Sequence, residues 1–509
     1  MIKTTPLKVL AAAVLVSGAE AAFALTPAAG APEIYLYLPG SQANDRFFQP
    51  ALCVSGTEHV YFQNYTPANP AAATNNDYWA VYCNTDGSKV AGLTGTKRIW
   101  ISRRRIGASY VGIEATANGT LLDYLQDPAS ANCTAHNGTF VSGGTSFPYN
   151  YSCGTVTGGI AATASIGDVT PDAFHGADNV PEGKPEIDAS TIPNRYAIAG
   201  HVIGIPSTWK LRNALQYAQV LNGNLPSTCV SPGTAVNYTS NGIESLACMP
   251  SLTKQQLASL FSGGTSDWDA FNVNVGGTAT SLSAVAARWV SLGGDPAYLT
   301  APADTQVHLC RRENGAGQQV AMLANIMQNP CLGASSPALA QPGGFTDAVL
   351  ATSLGAEDNC MTNFNAQNKW ALGIQTTERN VNYANKAGYR FIKIDGAPPT
   401  LEQVYLGRYP LWSEYGIQWM DNVTTDERRA LLALVAYAQN PVNVAARNTN
   451  INHSFGKAGY VALSSNGYAP DPVWNPNNPV TPYTRAASGA PDACTVPVIN
   501  PDYATVELR

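Results

Sequence analysis

Along the chain, short apolar runs closed by turn residues alternate with stretches in which apolar positions recur every three or four residues. The runs at 34–38, 98–102, 197–205, 306–309, 369–375 and 389–394 predict strands. Helical spacing predicts helices over 210–220, 254–261, 282–291, 318–327, 401–406 and 425–438. Thr253, followed three residues on by Gln256, forms a capping-box pattern. In such a box each side chain satisfies a backbone N–H that the helix end would leave unpaired. Strands alternating with helices through the middle predict an α/β protein with parallel or mixed sheets. Segments rich in Asn, Pro and Gly (64–76, 222–238, 333–344 and the tail from Asn466) predict surface loops.

The first residues carry a different pattern. Lys3 and Lys8 precede an apolar run over 9–16, and Ala22-Phe23-Ala24 follows. A basic start, a short apolar core and an A-x-A site predict a secretory signal peptide over 1–24, cleaved after Ala24. The run falls short of the ~20 residues that span a bilayer, and no later stretch has the length and apolarity of a span. An exported chain, periplasmic or secreted, is expected, with no membrane span once processed. It would keep 509 − 24 = 485 residues, enough for more than one domain. Loss of Lys3, Lys8 and Glu20 takes the formal charge from −6 to −6 − (2 − 1) = −7. That balance gives no electrostatic case for nucleic acid, so any anion site must be built locally.

Ten cysteines in an exported chain read as disulfides. Neighbour spacing favours sequential pairs: Cys53 with Cys83, Cys133 with Cys153, Cys229 with Cys248, Cys310 with Cys331, and Cys360 with Cys494. Spacing alone does not choose among the many connectivities. No C-x-x-C pair occurs, which leaves zinc and thioredoxin-like readings without support. The six histidines are dispersed, and no motif asks for a metal or another cofactor. There is no G-x-S-x-G, H-E-x-x-H or phosphate-binding Walker loop, and no nucleophile–base pair to name, so an enzyme is not expected.

One segment concentrates the candidate chemistry. The run from Val307 to Cys310 leads into Arg311 and Arg312, then Gly315-Ala316-Gly317, then the helix expected from Gln318. Backbone N–H groups at such a turn, the positive end of a helix and a guanidinium together can hold a small anion without a metal. The plain alternatives are a surface arginine doublet and a strand-to-helix turn without ligand.

Four segments, in order, resemble the periplasmic phosphate-binding proteins of ABC importers, in the type II periplasmic-binding-protein superfamily. The first runs from Ile34 through Gly40-Ser41-Gln42-Ala43, like the family's opening strand and turn. Ile166-Gly167-Asp168-Val169-Thr170-Pro171 resembles its G-x-S-D-V-x-P loop. Leu252 to Trp268 is similar to its L-T-x-x-Q-L-x-x-I-F-x-G-x-x-x-x-W helix and turn. Arg312 to Gln318 is similar to R-x-D-G-S-G-T. A weaker match lies at Gly407-Arg408-Tyr409-Pro410-Leu411, and Arg105 to Ile113 looks like the family's G-G-S-x-x-G-V turn around Ser109.

The resemblance implies a two-lobed type II periplasmic-binding-protein fold with mixed sheets and long disulfide-pinned insertions. Lobe 1 would hold 33–198 and 376–509, and lobe 2 would hold 199–375, hinged near 201–206 and 372–377. Ligand would lie between them, held by Ser41, Gln42, Ser109, Asp168, Arg312, Asn314, Gly315, Ala316, Gly317 and Gln318. Asp168 would discriminate, because a buried carboxylate tolerates only an anion that brings a proton to share. At most Arg103 and Arg105 of the run 103–105 share a strand face; one of them could reach the cleft, but a solvated face is the plainer reading.

The loop departs from the family where Asn314 stands for Asp and where Ala316 and Gln318 stand for hydroxyl residues. Each lost hydroxyl bond is worth roughly 0.5–1.5 kcal/mol. A carboxylate, a sugar or a larger ester fits Gln318 better than phosphate does. The expected function is solute binding: a small, phosphate-like oxyanion in an interlobe cleft, with an ABC importer permease as partner. The alternative is a secreted protein that uses the scaffold for adhesion, surface assembly or sequestration of a larger polar ligand.

Overall fold

Six strands and three helices position the site: β1 (Ile34–Pro39), β2 (Lys97–Arg104), β3 (Asn194–Thr208), β4 (His308–Arg312), β5 (Asp347–Ala351) and β6 (Trp412–Trp419), with α1 (Ala108–Asn118), α2 (Gly317–Met322) and α3 (Leu354–Ala366). The computed structural model describes residues 24–42, 45, 47–63, 77–129, 133–142, 145–379, 388–485, 492–503 and 506–507. The expected signal peptide, apart from Ala24, and the expected loop over 64–76 lie outside these residues, as does Ala43.

β1 alternates as a half-buried strand should. Ile34, Leu36 and Leu38 face a core, while Tyr35 and Tyr37 are only partly covered. It pairs in parallel with β2, from Ile34 opposite Ile99 to Pro39 opposite Arg104. These two strands sit at one side of a six-stranded sheet that continues through Tyr78–Thr85, His59–Gln63, Thr145–Cys153 and Thr134–Ser142. In an eleven-stranded sheet, β4 lies between β5 and Ala371–Gly373, parallel to both. The molecule is thus a mixed α/β protein of several sheets, as the alternation of strands and helices implies.

β3 joins the two regions. Its first half runs antiparallel to β6, and its second half runs antiparallel to Tyr389–Ile394. Ile198 packs in a core with Leu36, Ile101 and Leu431, whereas Ile203 and Ile205 pack in another with Trp209, Leu309 and Leu372. The segments 201–206 and 372–377 lie side by side, with Ile203 opposite Thr376 and Gly204 opposite Gln375.

Helices Lys254–Phe261 and Leu282–Ser291 have the expected bounds. The capping box forms: the Gln256 N–H donates to Thr253 Oγ1 at 3.1 Å, and the Thr253 N–H donates to Gln256 Oε1 at 2.8 Å. Other expectations shift. The strand expected over 306–309 begins at His308 and runs on to Arg312, so both arginines lie inside it and are buried. A strand with parallel neighbours on both edges and covered faces shows no alternation to mark its end. The strand expected over 369–375 breaks at Ile374 into Ala371–Gly373 and Gln375–Thr376. The helix expected over 318–327 starts at Gly317 and changes to π winding over Leu323–Met327.

Three disulfides match sequential pairing: Cys53–Cys83, Cys133–Cys153 and Cys229–Cys248. The other two correct it. Cys310 pairs with Cys360 and Cys331 pairs with Cys494, with Cα–Cα distances of 5.9 and 5.2 Å. The reason lies in the packing: α3 lies against β4 and brings Cys360 to Cys310 in one small core with Met361 and Phe364. α2 and the π turn carry Cys331 away to the tail.

Candidate functional site

The C-terminal ends of the two parallel pairs, β1 with β2 and β4 with β5, open on one cavity of about 730 Å³. Ser41 and Gln42 follow β1, Arg105 to Ala108 follow β2, Arg312 and Glu313 end β4, and Thr352 to Gly355 follow β5. Open α/β sheets present loops and helix N-termini at such strand ends, which is why ligands gather there. The start of α1 and the start of α3 both face the cavity, the latter capped by Ser353, which accepts from the Ala356 N–H.

Asp168 is 1% exposed, and its carboxylate is held from two sides. Ser41 Oγ donates to Oδ1. Ser109 Oγ, from the first turn of α1, donates to Oδ2 at 3.3 Å and accepts from the Asp168 N–H at 3.1 Å. Burial pushes the Asp168 carboxyl up to about 6, against the opposing pull of the Ser41 hydrogen bond, the Arg312 charge and the Ser109 hydrogen bond. Gly40 makes the approach possible: its φ is +117°, and a Cβ there would lie 2.1 Å from the Ile166 carbonyl oxygen.

Arg312, 4% exposed, is fixed by neutral acceptors. Nε donates to the Ala351 carbonyl at 3.0 Å, Nη1 to Gln318 Oε1 at 3.0 Å, and Nη2 to the Thr352 carbonyl at 3.3 Å. Glu357 of α3 is fully buried; desolvation pushes its carboxyl well up although Arg312 pulls the other way. Arg311 points to the other face of β4, where it donates to Asn314 Oδ1 at 3.0 Å and Gln341 Oε1 at 2.8 Å.

Ser41, Gln42, Asp168, Arg312 and Gln318 therefore line a single cavity. Ser109 stands behind Asp168. Asn314 turns away and donates to the Ala177 carbonyl at 3.0 Å. Gly315 accepts from the Tyr110 N–H at 3.1 Å, and Ala316 caps α2 as its N-cap residue. At Gly317 a Cβ would lie 2.6 Å from Ser109 Oγ and 2.9 Å from Asp168 Oδ2. The start of α2 thus abuts the Asp168 carboxylate directly.

On the opposite wall, Arg103 and Arg105 are buried, which corrects the expectation of a solvated face, and they share one carboxylate. Arg103 Nε donates to Asp45 Oδ1 at 3.0 Å, and Arg105 donates to Asp45 Oδ2. Arg103 also donates to the carbonyls of Leu38 and Ser41, fixing the turn after β1. Arg105 reaches the cavity; Arg103 is not among the described lining residues. Asp77, Glu313 and Arg379 also line the cavity, and no motif marked them in the sequence. Arg379 pairs with Asp358, and burial pushes the Glu313 carboxyl up against the pull of Arg312. Among the described residues, no helix is long and apolar enough to cross a membrane.

No protein-family model matches the chain, and no curated protein matches it. Solved structures align with it at low identity. A candidate phosphate ABC transporter substrate-binding protein with bound phosphate, from Clostridium perfringens, is 11% identical over 84% of this chain and 99% of its own, with a TM-score of 0.38. PstS from Borrelia burgdorferi is 9% identical over 82% and 97%, with a TM-score of 0.31. An ABC-type phosphate transport receptor from Vibrio cholerae is 13% identical over 54% and 74%, with a TM-score of 0.27.

Proposed function

We propose that this chain is an exported solute-binding protein that holds a ligand bearing a phosphate-like oxyanion between two lobes, 33–198 with 376–509 and 199–375, and delivers it to an ABC importer. The observation that carries this reading is Arg312: a buried guanidinium bonded to neutral acceptors, at the rim of a cavity that also presents Asp168. A buried charge whose direct hydrogen-bond acceptors are all neutral is costly, and an oxyanion is a partner that relieves it. Asp168, raised toward neutrality, is suited to share a proton with a protonated oxyanion. The motif matches along the sequence support the same reading. We read the site as one for binding: Ser41, whose hydroxyl donates to the Asp168 carboxylate, holds that carboxylate in place at the cavity.

Calorimetric titration with phosphate, sulfate, organic phosphates and simple carboxylates tests the proposal. Heat with at least one oxyanion, lost in Arg312→Ala, is expected. A folded protein that gives no heat with any of them, inorganic or organic, would rule the reading out.

A further inference from the structure

We infer that the occupant is a phosphorylated polyol, of the sugar phosphate class, and not inorganic phosphate; this rests on the solute-binding reading above. The first ground is size. Four oxygens, each given roughly the ~30 Å³ share of a water molecule, make a tetrahedral oxyanion on the order of 100 Å³. The cavity is about 730 Å³, within the ~300–1,000 Å³ that organic ligands occupy. Inorganic phosphate would leave most of it to solvent, and the polar groups there without a ligand contact.

The second ground is the spread of charge. Arg312, Arg105 and Arg379 come from three separate segments, and Asp77, Asp168 and Glu313 stand among them. One phosphate group engages guanidinium; the carboxylates are acceptors that suit neutral hydroxyl donors and repel a second anionic group. Thr352, Ser353 and the Gln42 amide add donors and acceptors of hydroxyl type. Ile106 and Leu354 are the large apolar side chains in the described lining, so an acyl or aromatic body would find little to pack against. The third ground is Gln318. Its Oε1 already occupies one guanidinium N–H of Arg312, at 3.0 Å. It narrows the oxyanion's access to the arginine and turns a side-chain amide, a hydroxyl-binding group, toward the cavity.

The test titrates the processed, disulfide-intact chain with inorganic phosphate, glucose, and glucose 6-phosphate, ribose 5-phosphate and glycerol 3-phosphate. At least one of the three esters should bind tenfold or more tighter than inorganic phosphate, and glucose at least tenfold more weakly than its phosphate. Glu313→Gln, whose fold is checked by circular dichroism, should weaken the best ester about fivefold, and an ester affinity unchanged in the variant overturns the role given to the carboxylates. Inorganic phosphate binding as tightly as every ester overturns this inference and leaves the oxyanion reading standing. Heat from no phosphate compound overturns this inference, and glucose binding as tightly as glucose 6-phosphate overturns it too.

Discussion

The two arginine-bearing walls of the cavity handle charge in opposite ways. At the end of β2, Arg103 and Arg105 share the Asp45 carboxylate, so two cations and one anion make a buried group of net charge +1. At the end of β4, Arg312 is held by an amide and two carbonyls with no direct ion pair. Geometry alone makes both walls look like anion sites. The bonding separates them: the first wall's guanidinium groups fix the turn that carries Ser41, and on the proposed reading the second wall's guanidinium faces a ligand.

If that contrast holds, removing the shared carboxylate should damage the fold more than the site. Asp45→Ala leaves two buried guanidinium groups facing each other, and breaking a buried pair costs about 3–5 kcal/mol. Urea unfolding should show a loss of that order; a loss below about 1 kcal/mol would erase the distinction between the walls. Arg312→Ala should do the reverse. Affinity for the tightest oxyanion ligand should fall by about 2–5 kcal/mol, the range for truncating a buried charge partner, while the urea midpoint moves little.

Much of the contrast could not be read from the sequence. Helix Lys254–Phe261 was legible because the capping box at Thr253 marks its start, and Leu282–Ser291 because its apolar positions keep helical spacing. β6 was not: all eight residues are buried, Ser413, Glu414 and Gln418 among them, because β3 and Ser165–Gly167 flank it. With both faces covered, no alternation remains to read. α1 escaped for a related reason, since Ser109, Tyr110, Gly112, Ile113, Ala115 and Thr116 are buried around most of its girth. Arg312, Asp168 and Ser41 stood out because their local motifs carry chemistry. Asp45, Asp77 and Arg379 sit in no motif; only folding brings them to the same space.

Asp168 gives the comparison a pH axis. Its folded pKa of about 6 lies above its ordinary value of 3.8. The protonated form is therefore favoured by folding, with that stabilisation fully present below pH 3.8 and lost as pH rises through about 6. A fully ionised probe such as sulfate should bind below about pH 6 and weaken above it. Asp168→Asn should flatten the profile; a profile that keeps its slope in the variant places the titrating group elsewhere. The smallest expected effect concerns Gln318. Gln318→Ser releases one guanidinium N–H and supplies a hydroxyl, which should tighten inorganic phosphate by roughly 0.5–1.5 kcal/mol. Unchanged or weaker phosphate binding would show that Gln318 does not restrict the arginine.

The two crossed disulfides carry a mechanical consequence. In sequence order Cys310, Cys331, Cys360 and Cys494 alternate between the bonds Cys310–Cys360 and Cys331–Cys494, so neither loop nests inside the other. A chain pulled from its two ends would transmit tension from Cys310 along 331 − 310 = 21 residues to Cys331, and then across sulfur to Cys494. The 163 residues of sequence separation between Cys331 and Cys494 would bear no load. At ~3.3–3.6 Å per residue, the Cys331–Cys494 bond by itself should shorten the taut chain by roughly 550 Å. β5 and α3 lie within that shielded span, so Thr352, Ser353, Leu354, Gly355 and Arg379 of the cavity wall would stay out of the line of force.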